Sequence, residues 1–322
     1  MMMQSMKRNT LAVAAVAALM GLSACGGGEK AAAPAASIDA SAPAASAGMS
    51  TLDKIKQSGT IVLGYRDSSI PFSYIADQPG QPVGYAHDLQ LRVVEAVKKE
   101  LNMPDLKVRY NLVTSQNRIP LVSNGTVDLE CGSTTNNPER QKQVDFSNAF
   151  FEIGTRLLTA KDSGIKDFPD LKGKTVVTTA GTTSERLLRE YNEKDKLGMN
   201  IISAKDHGEG ALMLINGRAQ AFMMDDILLA GERAKAADPE KWEIVGKPMS
   251  FERYGCMVRK GDAGFKKLVD DTLAATYKSG DVNGMYKTWF ESPIPPKNMN
   301  LNFPMSEQVK DIIANPTDQA AP

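Results

Sequence analysis

Apolar and polar positions along the chain switch repeatedly between strand-like and helix-like spacing, and that rhythm predicts the elements. Thr60–Arg66 (TIVLGYR) is an apolar run ending on a charge, as a buried strand delivering a residue to its end would read. Leu89, Val93, Val94, Val97 and Leu101 recur at helical spacing, which predicts a helix capped by Asp88 and running through Leu101. Leu106, Val108, Tyr110 and Leu112 alternate as a strand. A short helix then runs into the turn Asn124-Gly125, and Thr126–Cys131 reads as the next strand. Ala149–Thr159 is long and extended, suited to crossing between two lobes.

Beyond it the rhythm repeats. Lys174–Thr179, Met199–Ser203, Ala219–Met224 and Trp242–Val245 read as strands, interleaved with helices at Ser184–Glu193, Gly210–Asn216 and Ile227–Ala237. Tyr254–Arg259 reads as a return crossing. Phe265–Phe290 is helical with breaks at Gly280 and Gly284, and the tail from Ser292 is Pro- and Asn-rich and expected to wrap the surface. Strands alternating with helices argue for an α/β fold with mostly parallel sheets, whose ligands sit outside the carboxyl ends of strands.

The N-terminal part has a different character. Residues 1–24 read as a signal peptide: Lys7 and Arg8 precede an apolar core from Leu11 to Leu22, shorter than the roughly 20 residues of a membrane span. Leu22-Ser23-Ala24-Cys25 resembles the lipobox of bacterial lipoproteins, with Cys25 as the lipidated residue. Residues 26–50 are Ala, Ser, Pro and Gly with few large apolar side chains, a composition that cannot offset its ordering entropy. As a flexible tether they would reach about 25–30 Å. The body from about Thr51 is long enough for two lobes with cores.

Charge is balanced, with 38 Lys and Arg against 38 Asp and Glu, so neither nucleic acid nor an anionic surface is implied as a partner. Two histidines and no CxxC make a metal site unexpected. Export places Cys131 and Cys256 in an oxidising compartment, where they either pair or stay as two buried thiols.

Chemistry concentrates at strand ends. Arg66 follows the first strand, and a charge abutting a buried run needs a partner. Ser115 and Arg118 precede a helix. Ser133, Thr134 and Thr135 follow the Cys131 strand, and Arg140 lies in the next helical turn. Thr182, Thr183 and Ser184 open a helix, where free N–H groups favour an anion or simply receive a cap. His207 and Asp225-Asp226 follow later strands; Asp225 could simply cap the Ile227 helix, and spacing alone does not separate it from its rival Asp226. Arginine forks match carboxylates two bonds at a time. Three arginines, a histidine, hydroxyls and one carboxylate suit an amino acid with two carboxylates and one ammonium.

The segments RDSSIPFSY, TSQNRIPL, ECGSTTNNPERQ, AGTTSE, SAKDHGEG, FMMDD, LLAGERAKA, WEIVGKP, YGCMVRK and SPIPPKN, in that order, resemble the periplasmic glutamate/aspartate-binding proteins of ABC transporters, a family with the type II periplasmic-binding-protein fold. The resemblance implies two lobes, 51–152 with 250–322 and 153–249, joined by crossings near 150–158 and 246–256. It implies a monomer without cofactor, serving a membrane permease. It further implies that Arg140, Thr135 and Thr183 hold the ligand's α-carboxylate and that Ser133 and Asp225 take its ammonium. Arg66, Ser115, Arg118 and His207 would surround the side-chain carboxylate. The alternatives are a cyclic carboxylate dehydratase on the same fold, for which His207 or Glu209 would have to supply the general acid, and a sensory ligand-binding module.

Overall fold

A computed structural model describes residues 48–321. The signal peptide, Cys25 and nearly all of the tether lie outside the described residues.

Helix α1 (Thr51–Ser58) leads into β1 (Thr60–Tyr65), a small ribbon of β2 (Ser68–Ser69), β3 (Ser73–Ile75) and β4 (Pro82–Val83), and helix α2 (Tyr85–Glu100). Then come β5 (Lys107–Leu112), α3 (Arg118–Ser123), β6 (Leu129–Glu130) and α4 (Pro138–Gln141). A 17-residue strand β7 (Val144–Ala160) carries the chain across to β8 (Thr175–Thr179), α5 (Thr183–Lys194), β9 (Asn200–Ala204), α6 (His207–Ile215), β10 (Ala221–Asp225), α7 (Asp226–Lys235) and β11 (Trp242–Val245). Strand β12 (Phe251–Arg259) returns it to α8 (Ala263–Lys278), α9 (Asp281–Phe290) and α10 (Glu307–Ala314).

The main sheet runs β5-β1-β6-β12-β7-β10-β8-β9, with β11 on the other edge of β7. β1 lies parallel to β5 and β6, and β8 lies parallel to β9 and β10. These are the two α/β halves expected from the alternating pattern. The long strand serves both. Its first part, Val144 to Gly154, pairs antiparallel with β12, and its last part, Thr155 to Ala160, pairs with β10 and β11. Two antiparallel strands therefore join the lobes, and most of their residues are buried even where the side chain is polar.

Under the sheet, Phe72 anchors an aromatic cluster, its ring centroid 4.9 Å from Phe151, 5.2 Å from Tyr254 and 5.7 Å from Phe290. Such edge-on pairs add to the gain from burial. Cys131, just past β6, is disulfide-bonded to Cys256 in β12, closing a loop of 125 residues.

Several boundaries differ from the sequence expectation. Helix α2 starts four residues early, after Gly84 (φ 136°), and the Asp88 carboxylate accepts from the Trp289 indole at 2.7 Å instead of capping. The crossing begins at Val144 rather than Ala149. Gly280 (φ 81°) separates α8 from α9, whereas Gly284 sits inside α9 without breaking it. The tail contains α10, capped by Ser306, with Val309 and Ile312 buried.

Replacing both Cys131 and Cys256 by Ser is expected to lower unfolding stability by about 2–5 kcal/mol, the usual effect of removing a long-loop bridge. Urea unfolding of the oxidised protein and of the double variant measures it, and equal midpoints would contradict a structural role.

Candidate functional site

All nine side chains singled out from the sequence as ligand contacts lie within the protein at no more than 8 % exposure. They come from both lobes and meet between them. Arg66 arrives at the end of β1, Ser115 from the loop after β5, Arg118 at the start of α3, and Ser133 and Thr135 from the loop after β6. Arg140 sits in α4. From the other lobe come Thr183 at the start of α5, His207 at the start of α6 and Asp225 at the end of β10.

The arginines are held by local acceptors. Arg66 donates through Nη2 to Ser115 Oγ (2.9 Å) and to His207 Nε2 (3.3 Å), and through Nη1 to Ser133 Oγ (3.4 Å). Arg118 Nη1 donates to the Ser133 carbonyl (2.8 Å) and Thr134 Oγ1 (2.7 Å). Arg140 donates to the Thr135 carbonyl (2.9 Å) and, across the cleft, to the Gly181 carbonyl (3.3 Å). The Nε of Arg66 and of Arg118 is buried with no partner. Burial, and next the neighbouring Arg118 charge, push Arg66 down to about 10 and Arg140 down to about 9. Burial also lowers Arg118. All three stay cationic at neutral pH, so the cleft concentrates positive charge that an anion would relieve.

His207 is neutral: burial and then the Arg66 charge hold it well below its usual value. Arginine has only donors, so Nε2 accepts from Arg66 and Nδ1 carries the proton toward Thr179 Oγ1 at 2.9 Å. A neutral histidine committed at both nitrogens is not a general acid. Glu209 is turned to the backbone of Lys205, its Oε2 2.6 Å from that N–H. Neither residue supports the dehydratase alternative.

The two neighbouring aspartates separate by geometry. Asp225 accepts from Ser184 Oγ (3.1 Å) and from the Tyr254 hydroxyl, and it faces the cluster. Asp225 occupies the N-cap position of α7 without capping it through its side chain, and Asp226, the first residue of that helix, accepts from the Ile227 N–H (2.8 Å). Burial and then the nearby Glu252 charge raise Asp225 to about 7.

Sequence reading missed Glu252, Glu130 and Tyr254. Glu252 is 7 % exposed and reaches both lobes: its Oε2 accepts from Thr135 Oγ1 and Thr183 Oγ1, each at 2.6 Å. Glu130 is fully buried and accepts from Thr134 Oγ1 at 2.8 Å, supplying a countercharge below the arginines. The available signal for Glu130 was a carboxylate inside an apolar strand, which needs a buried partner. The lobes also touch by backbone: a Cβ on Gly231 in α7 would lie 2.8 Å from the Ile70 carbonyl, and one on Gly181 2.8 Å from Gln116 Cα. A surface groove between α2 and α8 shares no residue with the cluster. Among the described residues no His, Cys, Asp and Glu group is placed to hold a metal ion, and no helix is long and apolar enough to cross a membrane.

Two α/β lobes joined by paired strands, with convergent polar groups buried between them, define a solute-binding protein. The chain belongs to the bacterial extracellular solute-binding proteins, family 3, whose profile matches residues 61–292. It is 70 % identical over 271 residues to the L-glutamate/L-aspartate-binding protein of Pseudomonas aeruginosa, covering 84 % of this chain and 90 % of that one. It is 60 % identical to the glutamate/aspartate import solute-binding protein of Salmonella typhimurium, covering 87 % of this chain and 91 % of that relative. Among solved structures it resembles an ancestral amino acid-binding protein described as a precursor of cyclohexadienyl dehydratase, with a TM-score of 0.65 and 31 % identity over 75 % of this chain and all of that one. Membership sets the chain among solute-binding proteins rather than enzymes.

Asp225 makes a pH prediction. Its folded value, about 7, lies above its ordinary 3.8, so the folded state holds an extra proton between those values. That contribution to stability is complete below about pH 4 and is lost as pH rises through about 7. Thermal unfolding of the protein and of Asp225→Asn should therefore diverge as pH rises from 4 to 8, with the unsubstituted protein losing more. Parallel profiles would contradict the assignment.

Proposed function

We propose that the protein captures L-glutamate and L-aspartate between its lobes and delivers them to the permease of an ABC importer. The observation that carries this reading is the burial of Arg66, Arg118 and Arg140 around one cleft that also contains Asp225. A dicarboxylic amino acid carries a complement to each, two carboxylates for the guanidinium groups and an ammonium for the aspartate. The glutamate/aspartate-binding relative in Pseudomonas and the glutamate/aspartate import relative in Salmonella support the same solutes, and the second supports the import role.

In this reading Arg66, Ser115, Arg118 and His207 receive the side-chain carboxylate. Arg140, Thr135 and Thr183 lie at the α-carboxylate, and Ser133 and Asp225 at the ammonium. The lobes 51–152 with 250–322 and 153–249 close about β7 and β12, driven by the ligand's higher affinity for the closed form. Contacts such as Arg66 to His207 and Arg140 to Gly181 span that closure. The protein acts as a monomer, and Cys25 bears a lipid that holds it to a membrane through the tether.

Titration calorimetry with an amino-acid panel on the tether-free body tests the reading. Glutamate and aspartate should bind near 1 μM, about −8 kcal/mol. Glutamine should bind at least a hundredfold more weakly, because an amide cannot satisfy donors built for a carboxylate. Glutamine matching glutamate would refute it. Arg140→Ala should abolish binding of every amino acid, whereas Arg118→Ala should penalise mainly the diacidic ones.

A further inference from the structure

The carboxylate of Glu252 decides what two of the threonines in the cleft are able to recognise. Thr135 Oγ1, from one lobe, and Thr183 Oγ1, from the other, both lie 2.6 Å from the same oxygen, Glu252 Oε2. A carboxylate only accepts, so each hydroxyl must spend its single proton there. What remains on each threonine oxygen is lone pairs. Neither hydroxyl can then donate to a ligand carboxylate, and both can accept from a cation. Glu252 is itself fixed: its Oε1 accepts from Ser250 Oγ at 3.0 Å, and that hydroxyl lies 2.8 Å from Thr155 Oγ1.

The surroundings have the same polarity. Asp225 stands close enough that the Glu252 charge raises its proton affinity. On this side of the cleft the acceptors are two carboxylates and two lone-pair-bearing hydroxyls. A carboxylate arriving beside them still has donors, the Arg140 guanidinium and the backbone N–H groups that open α5, which precede any intrahelical acceptor.

We propose that Glu252 is a specificity-determining residue that makes the ligand's primary amine obligatory, by converting Thr135 and Thr183 into acceptors for an ammonium. This rests on the acidic-amino-acid reading and refines it: the two hydroxyls serve the ammonium, and the α-carboxylate is left to Arg140 and the start of α5. Glu252→Gln keeps the size of the side chain but supplies an NH2 group, which gives protons back to the hydroxyls and removes one negative charge.

The experiment compares L-glutamate with glutarate, its amine-free counterpart, by calorimetry on the unsubstituted protein and on Glu252→Gln. The unsubstituted protein should prefer glutamate by at least a thousandfold, as sites built around a substrate hydrogen-bonding group reject analogues lacking it. In Glu252→Gln that ratio should fall at least tenfold, through weaker glutamate and unchanged or tighter glutarate. The pH below which glutamate affinity declines should also move down, since Asp225 loses its negative neighbour. Equal weakening of both ligands with an unmoved pH profile, as a merely structural role would give, overturns the proposal. Should Glu252→Gln fail to fold, Thr183→Val provides the second test: the ratio must again fall, and an unchanged ratio overturns the proposal. If no acidic amino acid binds the unsubstituted protein, the functional reading fails on its own. The amine requirement is then measured with whichever amino acid of the panel binds, against its deaminated acid.

Discussion

Taking a guanidinium group out of water costs several kcal/mol unless its donors find acceptors and its charge finds a partner. This fold buries three of them beside one another, and much of its architecture answers that cost. Carbonyls of Ser133, Thr135 and Gly181 and hydroxyls of Ser115, Ser133 and Thr134 accept from the three forks. Glu130 supplies negative charge from below and Glu252 from the joining strands. Compensation is incomplete by design of the geometry, since Nε of both Arg66 and Arg118 is left without a partner. A site balanced internally would have no reason to prefer an anion over water.

The same constraint explains why the cleft is divided between lobes. Two of the three cations draw a partner from the opposite lobe: Arg66 from His207 and Arg140 from the Gly181 carbonyl. Close approach is made possible by small residues at the contact: Gly231 lies where a side chain would meet the Ile70 backbone. Polar contacts span the two lobes, and the absence of a Cβ makes room for the approach. Neutral His207 belongs to this arrangement, since a protonated imidazole beside Arg66 would add a fourth cation where three already strain the balance.

Much of this was legible in the sequence. Arg66 could be found because a charge ending an apolar strand is unusual, and Asp225 because it ends another. The α/β class followed from period alone. What escaped has a physical cause in each case. Glu252 lies in Phe251-Glu252-Arg253, which reads as an exposed alternating edge, and only the pairing of β12 with β7 turns its carboxylate inward. The strands β2 to β4 have two or three residues each, too short to show a period. Helix α10 was hidden by flanking prolines and asparagines, although Ser306 with Val309 and Ile312 carries a cap and an apolar face. The different partners of Asp225 and Asp226 follow from where each carboxylate points, which adjacent positions in a sequence do not encode.

The bridge between Cys131 and Cys256 acquires a wider meaning from its place on β12. Glu252 and Tyr254, which address the cleft, stand four and two residues before the bridged Cys256 on the same strand. A strand displaced by one position presents its opposite face, and the sulfur link to the end of β6 denies β12 that freedom. A bond remote from the cleft sets the alignment of the side chains that line it.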